Sequence, residues 1–462
     1  MRSLVRLLAA AVLAIGLTAP AAAQPTTQDL ALPSPRLAPE DPLRRVGHVV
    51  VIFLENRGLD HLFGRFPGAN GLAQAGDRAV QTGPDGAPLA LLPPVRDTSA
   101  QGAPVDPRFP ADLPNAPFPI DRYVPADQKT GDLVHRFYQE QAQINGGRMD
   151  RFVAVSNAGG LTMGHYDASG TQLWRLAREF ALGDNMFHSA FGGSFLNHAF
   201  LVCAQAFVWP DAPPELVIQL DADGRLVRDG QVTQDGFVVN TSLSAQFHPA
   251  GIDPKKLVPP QDMPHIGDRL DAAGVDWRWY AGGYADALAG RRTDDEFQYH
   301  HQPFAYFRNL APGTPGQQAH LKDLADLYAD ISAGTLPPVM FYKPVGRLNL
   351  HPGYADIRDG DEHLGDLVAR LQAGPQYADM LILITFDENG GFWDHVPPPV
   401  RDRWGPGTRV PLIAVGPMVR RGNVDHTQYD FGSILRTIED RFGLEPLGLL
   451  DGRNTTMRNL LQ

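Results

Sequence analysis

Two distant segments of the sequence carry side chains whose oxygen atoms could bind a divalent metal ion. These side chains are Glu55, Asn56, Asp387 and Glu388. Three carboxylates that converge would repel one another and raise one another's pKa values unless a cation lies between them. Oxygen ligands of this kind suit Ca²⁺, Mg²⁺ or Mn²⁺, and nearby histidines would also admit Zn²⁺. Each acidic residue could instead cap the helix after its strand, but the two segments together favour a metal.

Both segments follow apolar runs that are typical of buried parallel strands. One run is His48–Leu54 and the other covers 380–384. Ligands of open α/β sheets bind beyond the carboxyl ends of the strands, so two parallel neighbours would bring all four side chains to one edge. Gly390 and Gly391 would end the second strand and let the backbone pass close to a ligand.

Ser194 is the candidate nucleophile. Gly192 and Gly193 allow a tight turn before it, and the apolar residues after it predict a helix over 195–206. Free N–H groups at the start of such a helix would attract a phosphate, although an ordinary serine cap is the alternative. Leu196 replaces the last glycine of the Gly-x-Ser-x-Gly motif, which weakens the interpretation as a carboxyl-ester hydrolase. The sequence also has no P-loop motif for binding nucleotides.

Several histidines stand beside glycine, proline or acidic residues and could assist phosphoryl chemistry. They are His135, His165, His300, His301, His351 and His395. Because imidazole titrates near neutral pH, a cluster of them could donate hydrogen bonds to phosphoryl oxygens and supply a general acid for the leaving group. Taken alone, each is better explained as a surface or core side chain. We expect His61 and His188 to be structural.

Strands alternate with helices along the chain, which predicts one doubly wound α/β domain over 45–462 with a mostly parallel sheet. Further strands are predicted at 275–280, 339–342 and 410–415. Helices are predicted within 133–152 and at 265–273, 320–333, 362–371 and 431–442. Loop and hairpin insertions are expected near 83–126, which is rich in proline, and near 210–260, which carries turn signals.

The N terminus has the pattern of a secretory signal peptide. Arg2 and Arg6 precede an apolar stretch over 7–17, and a run of alanines at 21–23 predicts cleavage after Ala23. The pattern is of the Sec type, so we expect a secreted or periplasmic protein. Residues 24–44 are expected to form an extended lead-in. No later stretch of the sequence is apolar enough to predict a transmembrane segment.

The charge and cysteine content exclude some classes of function. The formal charge is −12, and it becomes −14 without Arg2 and Arg6. An acidic protein is unsuited to sequestering nucleic acid, whose backbone requires lysine and arginine. Cys203 is the only cysteine and lies in an apolar run, so we expect a small buried side chain and no internal disulfide. Nothing in the sequence specifies an oligomeric state.

The motifs together resemble a known family. The stretches that carry the similarity are 48–57, 266–270, 277–283 and 385–399, of which Asp-Glu-Asn-Gly-Gly-Phe-Trp-Asp-His at 387–395 is the most specific. They are similar to the bacterial phosphoesterase family of nonhemolytic phospholipases C and secreted acid phosphatases, a branch of the alkaline-phosphatase-like superfamily. Residues 189–198 and 298–304 resemble its acid-phosphatase branch. Gly58 and Leu59 depart from the family's usual Ser-Phe.

The resemblance implies an alkaline-phosphatase-like fold and an exported, metal-dependent phosphoric-ester hydrolase. It implies a divalent ion held by Glu55, Asn56, Ser194, Asp387 and Glu388. Ser194 would attack phosphorus to form a phosphoserine that water then hydrolyses, and the phosphoryl group would be faced by His135, His300, His301 and His351.

The expected activity is that of an acid phosphatase on phosphomonoesters. The alternative is a phospholipase C that hydrolyses phosphatidylcholine-type phosphodiesters. A catalytically inactive binding protein is disfavoured, because it would not need the serine, the metal ligands and the histidines together. A sulfatase-like relative is also disfavoured, because no Cys/Ser-x-Pro-x-Arg pattern surrounds Ser194.

Overall fold

The computed structural model describes most of the chain, namely residues 37–291, 297–448 and 455–462. The predicted signal peptide at 1–23 and the lead-in as far as residue 36 lie outside the described residues. The described end of the lead-in is not extended throughout, because Pro42–Arg45 forms a 3-10 turn. The Asp41 carboxylate accepts a hydrogen bond from Leu43 N, and the side chain of Leu43 is buried, which together fix the turn.

An eight-stranded sheet forms the centre of the protein. Its strands in chain order are β1 (His48–Leu54), β2 (Ala181–Phe187), β3 (Trp277–Ala281), β4 (Leu321–Lys322), β5 (Val339–Lys343), β6 (Met380–Phe386), β7 (Arg409–Val415) and β8 (Asn423–Asp425). They are arranged as β4-β3-β5-β1-β6-β7-β2-β8. Neighbours are parallel except where β7 pairs with β6 and with β2. The prediction of a mostly parallel α/β sheet is confirmed.

Helices flank this sheet. In the described residues they are α1 (Leu59–Phe63), α2 (Phe137–Ile144), α3 (Phe152–Val155), α4 (Gln172–Glu179), α5 (Ser194–Cys203), α6 (Ile266–Ala272), α7 (Tyr284–Leu288), α8 (Pro315–His320), α9 (Leu324–Ala333), α10 (Ile357–Ala373) and α11 (Phe431–Phe442). The longest, α10, begins where Asp356 accepts a hydrogen bond from Asp359 N. No helix in these parts of the chain is both long and apolar enough to cross a bilayer.

The register of the central strands positions the site. β1 pairs in parallel with both β5 and β6, and all residues of β5 and β6 are buried, as expected for strands that are covered on two faces. Leu54 lies opposite Phe386, and Ile52 lies opposite Tyr342. The residues that end or follow these three strands therefore meet at one edge of the sheet.

The prediction of a helix over 320–333 is wrong for Leu321–Lys322, which form a strand. The chain forms edge strand β4 before α9 begins, because the Asp323 side chain caps α9 and Asp326 returns a hydrogen bond to the Asp323 backbone. Strand β2 and helix α4 were not predicted. The Gly183-Asp184-Asn185 sequence inside β2 has low strand propensity, and pairing with β7 and β8 outweighs it.

Short paired strands lie in the two predicted insertions. Gln219–Leu220 and Leu226–Arg228 form an antiparallel hairpin in the 210–260 region. In the 83–126 region, Phe118–Pro119 pairs with Gly164–His165. Several apolar side chains of that region are buried in the main core, among them Leu92, Val95, Phe109 and Leu113.

Candidate active site

The ends of β1 and β6 bring the predicted metal ligands together. Asn56 N donates a hydrogen bond of 3.0 Å to Oδ1 of Asp387. Asn56 has a φ of 57°, in the left-handed region that asparagine tolerates better than most residues, and this turns the chain sharply after β1. Glu55, Asn56, Asp387 and Glu388 are all fully buried.

Ser194 joins this group from the first position of α5. Its Oγ lies 3.2 Å from Oε2 of Glu55 and 3.3 Å from Oδ1 of Asn56. Gly193 precedes the helix with extended backbone, and no side chain caps the first turn. The hydroxyl therefore points to the carboxylate and amide at the sheet edge, and the N–H groups of the first turn of α5 remain available to an anion.

The two glycines before Ser194 are required by close backbone contact. Gly192 has a φ of 86°, and a Cβ there would lie 2.4 Å from Phe137 N. A Cβ on Gly193 would lie 2.7 Å from His135 O. Glu140 holds the same turn, because its Oε2 accepts a hydrogen bond of 2.5 Å from Gly192 N. The segment that carries His135 is thus packed directly against the serine turn.

Asn56 separates the serine from two histidines. Its Nδ2 lies 3.1 Å from Nε2 of His351 and 3.3 Å from Nε2 of His135. The Nδ1 atoms of these rings face carbonyl oxygens, those of Leu133 at 2.6 Å and Pro352 at 2.5 Å. Each ring therefore carries its proton on Nδ1 and presents Nε2 to the site.

Glu55 is surrounded by cationic and imidazole groups. Lys343, the last residue of β5, contacts Oε1 of Glu55, and Nε2 of His301 lies 2.7 Å from the same oxygen. Burial raises the pKa of Glu55, but Lys343, His301 and His351 outweigh this and hold the pKa well below its usual value. Glu55 is therefore an ionised carboxylate whose Oε2 faces Ser194.

In the other two carboxylates, burial and repulsion outweigh the groups that favour the charged form. Burial and then the charge of Glu55 raise the pKa of Asp387 to about 7. Burial and then the charge of Asp387 raise the pKa of Glu388 well above its usual value. Asp387 Oδ2 and Glu388 Oε1 accept no hydrogen bond from the part of the chain that the structure describes. Two buried carboxylate oxygens without hydrogen-bond donors, at the same edge of the sheet as Glu55 and Asn56, fit a hard divalent cation.

The structure places the remaining candidate, His300, at the edge of the cluster. One nitrogen of His300 lies within 4.8 Å of ligand atoms of both Glu55 and His301. Burial and then His301 hold the pKa of His300 well below its usual value. Burial likewise lowers the pKa of His301, to about 4. Both rings are thus neutral over the ordinary working range of pH.

Two site residues were missed by the sequence analysis, Lys343 and His198. His198 lies one turn after Ser194 on α5, and its Nδ1 lies 2.7 Å from the Ser194 carbonyl oxygen and 3.9 Å from Asp387 Oδ2. A signal existed for Lys343, because it directly follows the apolar run predicted over 339–342, as Glu55 follows β1. Nothing local distinguished His198 from a core side chain.

Other histidines from the sequence analysis lie in buried hydrogen-bonded networks. His395 Nδ1 lies 2.6 Å from Asp60 Oδ2, and Arg409 joins Asp60 to Asp394. His188 binds Glu140 at 3.0 Å, and His61 lies 2.9 Å from an Arg57 nitrogen. His165 is also buried, as is Cys203.

A family model described as the Phosphoesterase family matches residues 46–445, and the chain belongs to that family. Curated relatives include the "Non-hemolytic phospholipase C" of Pseudomonas aeruginosa, which is 26% identical over 96% of this chain and 60% of its own length. The "Phospholipase C A" of Mycobacterium tuberculosis is 24% identical over 87% of this chain and 74% of its own length. This chain therefore spans somewhat less than two thirds of the length of the Pseudomonas relative.

Solved structures that resemble the chain include a protein of the alkaline phosphatase superfamily from Vibrio parahaemolyticus. It is 11% identical, with 70% of this chain and 71% of that chain covered and a TM-score of 0.31.

Proposed function

We propose that the chain is an exported, metal-dependent phosphoric-ester hydrolase with Ser194 as its nucleophile. The observation that carries the proposal is the position of Ser194 Oγ, 3.2 Å from an ionised Glu55 oxygen and 3.3 Å from Asn56 Oδ1. Membership of the Phosphoesterase family supports the reaction class. The signal-peptide pattern at 1–23 supports export.

The residues that would hold a divalent ion are Glu55, Asn56, Ser194, Asp387 and Glu388. Such an ion would lower the pKa of the serine hydroxyl and offset the charge that develops on the phosphoryl group. Their oxygen donors favour Mg²⁺, Mn²⁺ or Ca²⁺, and the neighbouring histidines keep Zn²⁺ compatible with the site. The two carboxylate oxygens without hydrogen-bond donors support this assignment.

The protein's own groups orient the nucleophile. Glu55 Oε2 accepts the hydrogen bond of the Ser194 hydroxyl, which fixes the orientation of the hydroxyl group. The first turn of α5 offers backbone N–H groups to the phosphoryl oxygens. Attack by Oγ on phosphorus breaks the bond to the leaving alcohol and leaves a phosphoserine, which water then hydrolyses.

The leaving alcohol needs a proton, and a histidine on the other side of Asn56 would give it from Nε2 after taking that proton up from solvent, since Nε2 carries none in the resting site. His135 is the more accessible of the two, with 19% of its side chain exposed against 10% for His351. His301 lies at the other oxygen of Glu55, 2.7 Å from Oε1, and His300 lies beside it.

We assign monoesters as the preferred substrate, which makes the chain an acid phosphatase. The resemblance of residues 189–198 and 298–304 to the acid-phosphatase branch supports this choice. A phospholipase C acting on phosphatidylcholine-type diesters is the second candidate, and the names of the curated relatives favour it.

One panel of substrates separates these activities. The purified protein is assayed on an aryl phosphate, an aryl phosphorylcholine and phosphatidylcholine vesicles, each with and without chelator. We expect the aryl phosphate to be hydrolysed fastest and the chelator to stop the reaction. A preference for the phosphorylcholine diesters would assign phospholipase C, and no hydrolysis in any arm would leave a binding protein.

A further inference from the structure

The segment that carries His135 forms neither a helix nor a strand. It covers residues 131–136 and ends where α2 begins. In the proposed function a histidine beside Asn56 protonates the leaving alcohol, and Nε2 of His135 lies 3.3 Å from Nδ2 of Asn56. A side chain with such a role must be held to within about 0.5 Å of its productive position, which an irregular segment does not achieve alone. Side chains from elsewhere in the chain must therefore hold this segment.

Two asparagines from separate parts of the chain hold the segment on either side of His135. Asn157 Oδ1 accepts a hydrogen bond of 2.7 Å from the backbone N–H of Val134, the residue before His135. Asn240 Oδ1 accepts one of 3.2 Å from the backbone N–H of Phe137, two residues after His135. We call Asn157 and Asn240 the asparagine clamp.

Asn240 fixes the start of α2 from within the 210–260 insertion. Arg136 precedes α2 but does not cap it with its side chain, so the N–H of Phe137 is paired with Asn240 instead. Asn240 is 4% exposed, and its Nδ2 donates a hydrogen bond of 2.7 Å to the Gly230 carbonyl oxygen. Arg136 donates to the same carbonyl oxygen at 2.8 Å. The insertion therefore grips both residues at the start of the helix.

Asn157 holds the other side of the segment from the loop after α3. Its Nδ2 donates a hydrogen bond of 3.4 Å to the Asp132 carbonyl oxygen, in addition to the bond that its Oδ1 accepts from Val134. Asn157 is exposed, so these hydrogen bonds rather than packing are its contribution. Each amide of the clamp thus has one donor and one acceptor partner, which fixes its orientation.

We propose that Asn157 and Asn240 are positioning residues that act through His135 on the departure of the leaving alcohol. This inference rests on the proposed function, in which a histidine beside Asn56 supplies the proton. In the described residues, neither asparagine hydrogen-bonds to a proposed metal ligand, so the clamp acts on His135 and not on the metal. Loss of the clamp therefore slows most the esters whose leaving group most needs a proton.

The test compares two phosphate esters that differ in this need. One is a 4-nitrophenyl ester, whose leaving group departs readily as an anion, and the other is an alkyl ester of the same class, whose leaving group requires a proton. The two constants kcat and KM are measured for wild type, Asn157→Ala, Asn240→Ala and His135→Ala, and for each clamp change combined with His135→Ala. Asn459→Ala is the matched control, because Asn459 is exposed and also bridges distant segments through a hydrogen bond to Thr427.

We expect each clamp variant to lower kcat by about tenfold on the alkyl ester and by about twofold or less on the 4-nitrophenyl ester, because the contribution of a general acid grows with the basicity of the leaving group. KM and metal content should stay at their wild-type values. In the His135→Ala background, the clamp changes should add no loss that is specific to the alkyl ester, since the residues act as a unit. Asn240→Asp keeps the acceptor for the N–H of Phe137 and should restore most of the rate.

The outcomes separate the two proposals. Unchanged kcat in the clamp variants, or equal losses on the two esters, would overturn the inference, and so would a further loss specific to the alkyl ester in the His135→Ala background. No hydrolysis of either ester by wild type, or full hydrolysis by Ser194→Ala, would overturn the proposed function and this inference with it. Thermal melts report folding, and if Asn240→Ala does not fold, the exposed Asn157→Ala decides the question by the same comparison.

Discussion

Ser194 Oγ lies 3.2 Å from Glu55 Oε2, although 139 positions separate the two residues along the chain. The contact exists because β1 ends at Leu54 and α5 begins at Ser194, and both ends reach the same edge of the sheet. Neither residue is reactive alone. In the proposed function, their proximity beside Asp387 and Glu388 makes a phosphoryl-transfer site out of ordinary strand and helix ends.

Replacing the nucleophile should remove activity and leave the fold intact. We expect Ser194→Ala to lower kcat on an aryl phosphate by about a thousandfold or more, as loss of a covalent nucleophile does in other hydrolases. Its melting temperature should stay close to that of wild type. Ser332→Ala, a change at an exposed helical serine, is the control. A Ser194→Ala protein that keeps appreciable turnover would refute the assignment.

Removing one ligand charge should affect metal content and activity together. We expect Asp387→Asn to weaken metal binding by at least about tenfold. A loss of that size is typical when a residue that only hydrogen-bonds to a metal ligand is replaced, and a ligand itself should matter at least as much. Elemental analysis and turnover are measured on the same preparation, with Asp112→Asn at an exposed position as the control. Full metal content together with full activity in Asp387→Asn would count against the site.

Glu140 should matter for turnover although it does not face the substrate. Its Oε1 accepts hydrogen bonds from Thr408 N at 3.0 Å and Thr408 Oγ1 at 3.2 Å, and its Oε2 accepts one from Gly192 N. We expect Glu140→Gln to destabilise the fold by about 1–3 kcal/mol, because an amide leaves a buried donor unpaired.

The same change should lower kcat by about tenfold, since a small displacement of the nucleophile is costly. The KM for an aryl phosphate and the metal content should change little, which distinguishes loss of serine positioning from loss of the metal. Glu179→Gln, at a side chain that is 41% exposed, is the control. Unchanged kcat in a destabilised Glu140→Gln would contradict the positioning role.

Two neutral histidines outside the site, one buried and one partly buried, should make the protein less stable in acid. Burial lowers the pKa of His265, although Asp268 and Asp271 oppose it, and burial also lowers the pKa of His363. Since the unfolded pKa is about 6.5, the unfolded chain takes up more protons below that pH than the folded chain does. The stabilisation is present above about pH 6.5 and is lost as the pH falls towards the folded pKa values.

Urea unfolding at about pH 8 and about pH 5 measures this effect. His265→Asn is the informative variant, because His265 Nδ1 caps α6 by accepting a hydrogen bond from Asp268 N and asparagine is a good cap that does not titrate. We expect a smaller loss of stability in acid for the variant than for wild type. An equal loss in both proteins would mean that His265 does not contribute.

Much of the fold could be predicted from local patterns. The runs of valine, isoleucine and leucine in β1 and β6 identify strands that are buried on both faces, and the spacing of apolar residues in α11 identifies a docked helix. β2 could not be predicted in this way, because its strand character comes from pairing with β7 and β8 rather than from its own residues.

The site was predictable where charged or amide residues follow an apolar strand, as with Glu55 and Asp387. Glu140 and His198 gave no such signal, because their roles depend on contacts with distant segments. Glu140 is a helix residue whose partners include Thr408, 268 positions further along the chain. A local sequence pattern carries no information about the contact between Glu140 and Thr408, so only the folded structure reveals it.

Trapping the covalent intermediate tests most directly whether Ser194 is the nucleophile. Wild-type protein with Mn²⁺ is mixed with an aryl phosphate, quenched in acid within the first turnover and digested for mass spectrometry. We expect one phosphorylated peptide, with the phosphoryl group on Ser194, that is missing in Ser194→Ala and in chelator-treated wild type. Steady hydrolysis with no phosphate on Ser194 at any quench time would contradict the role of Ser194 as the nucleophile.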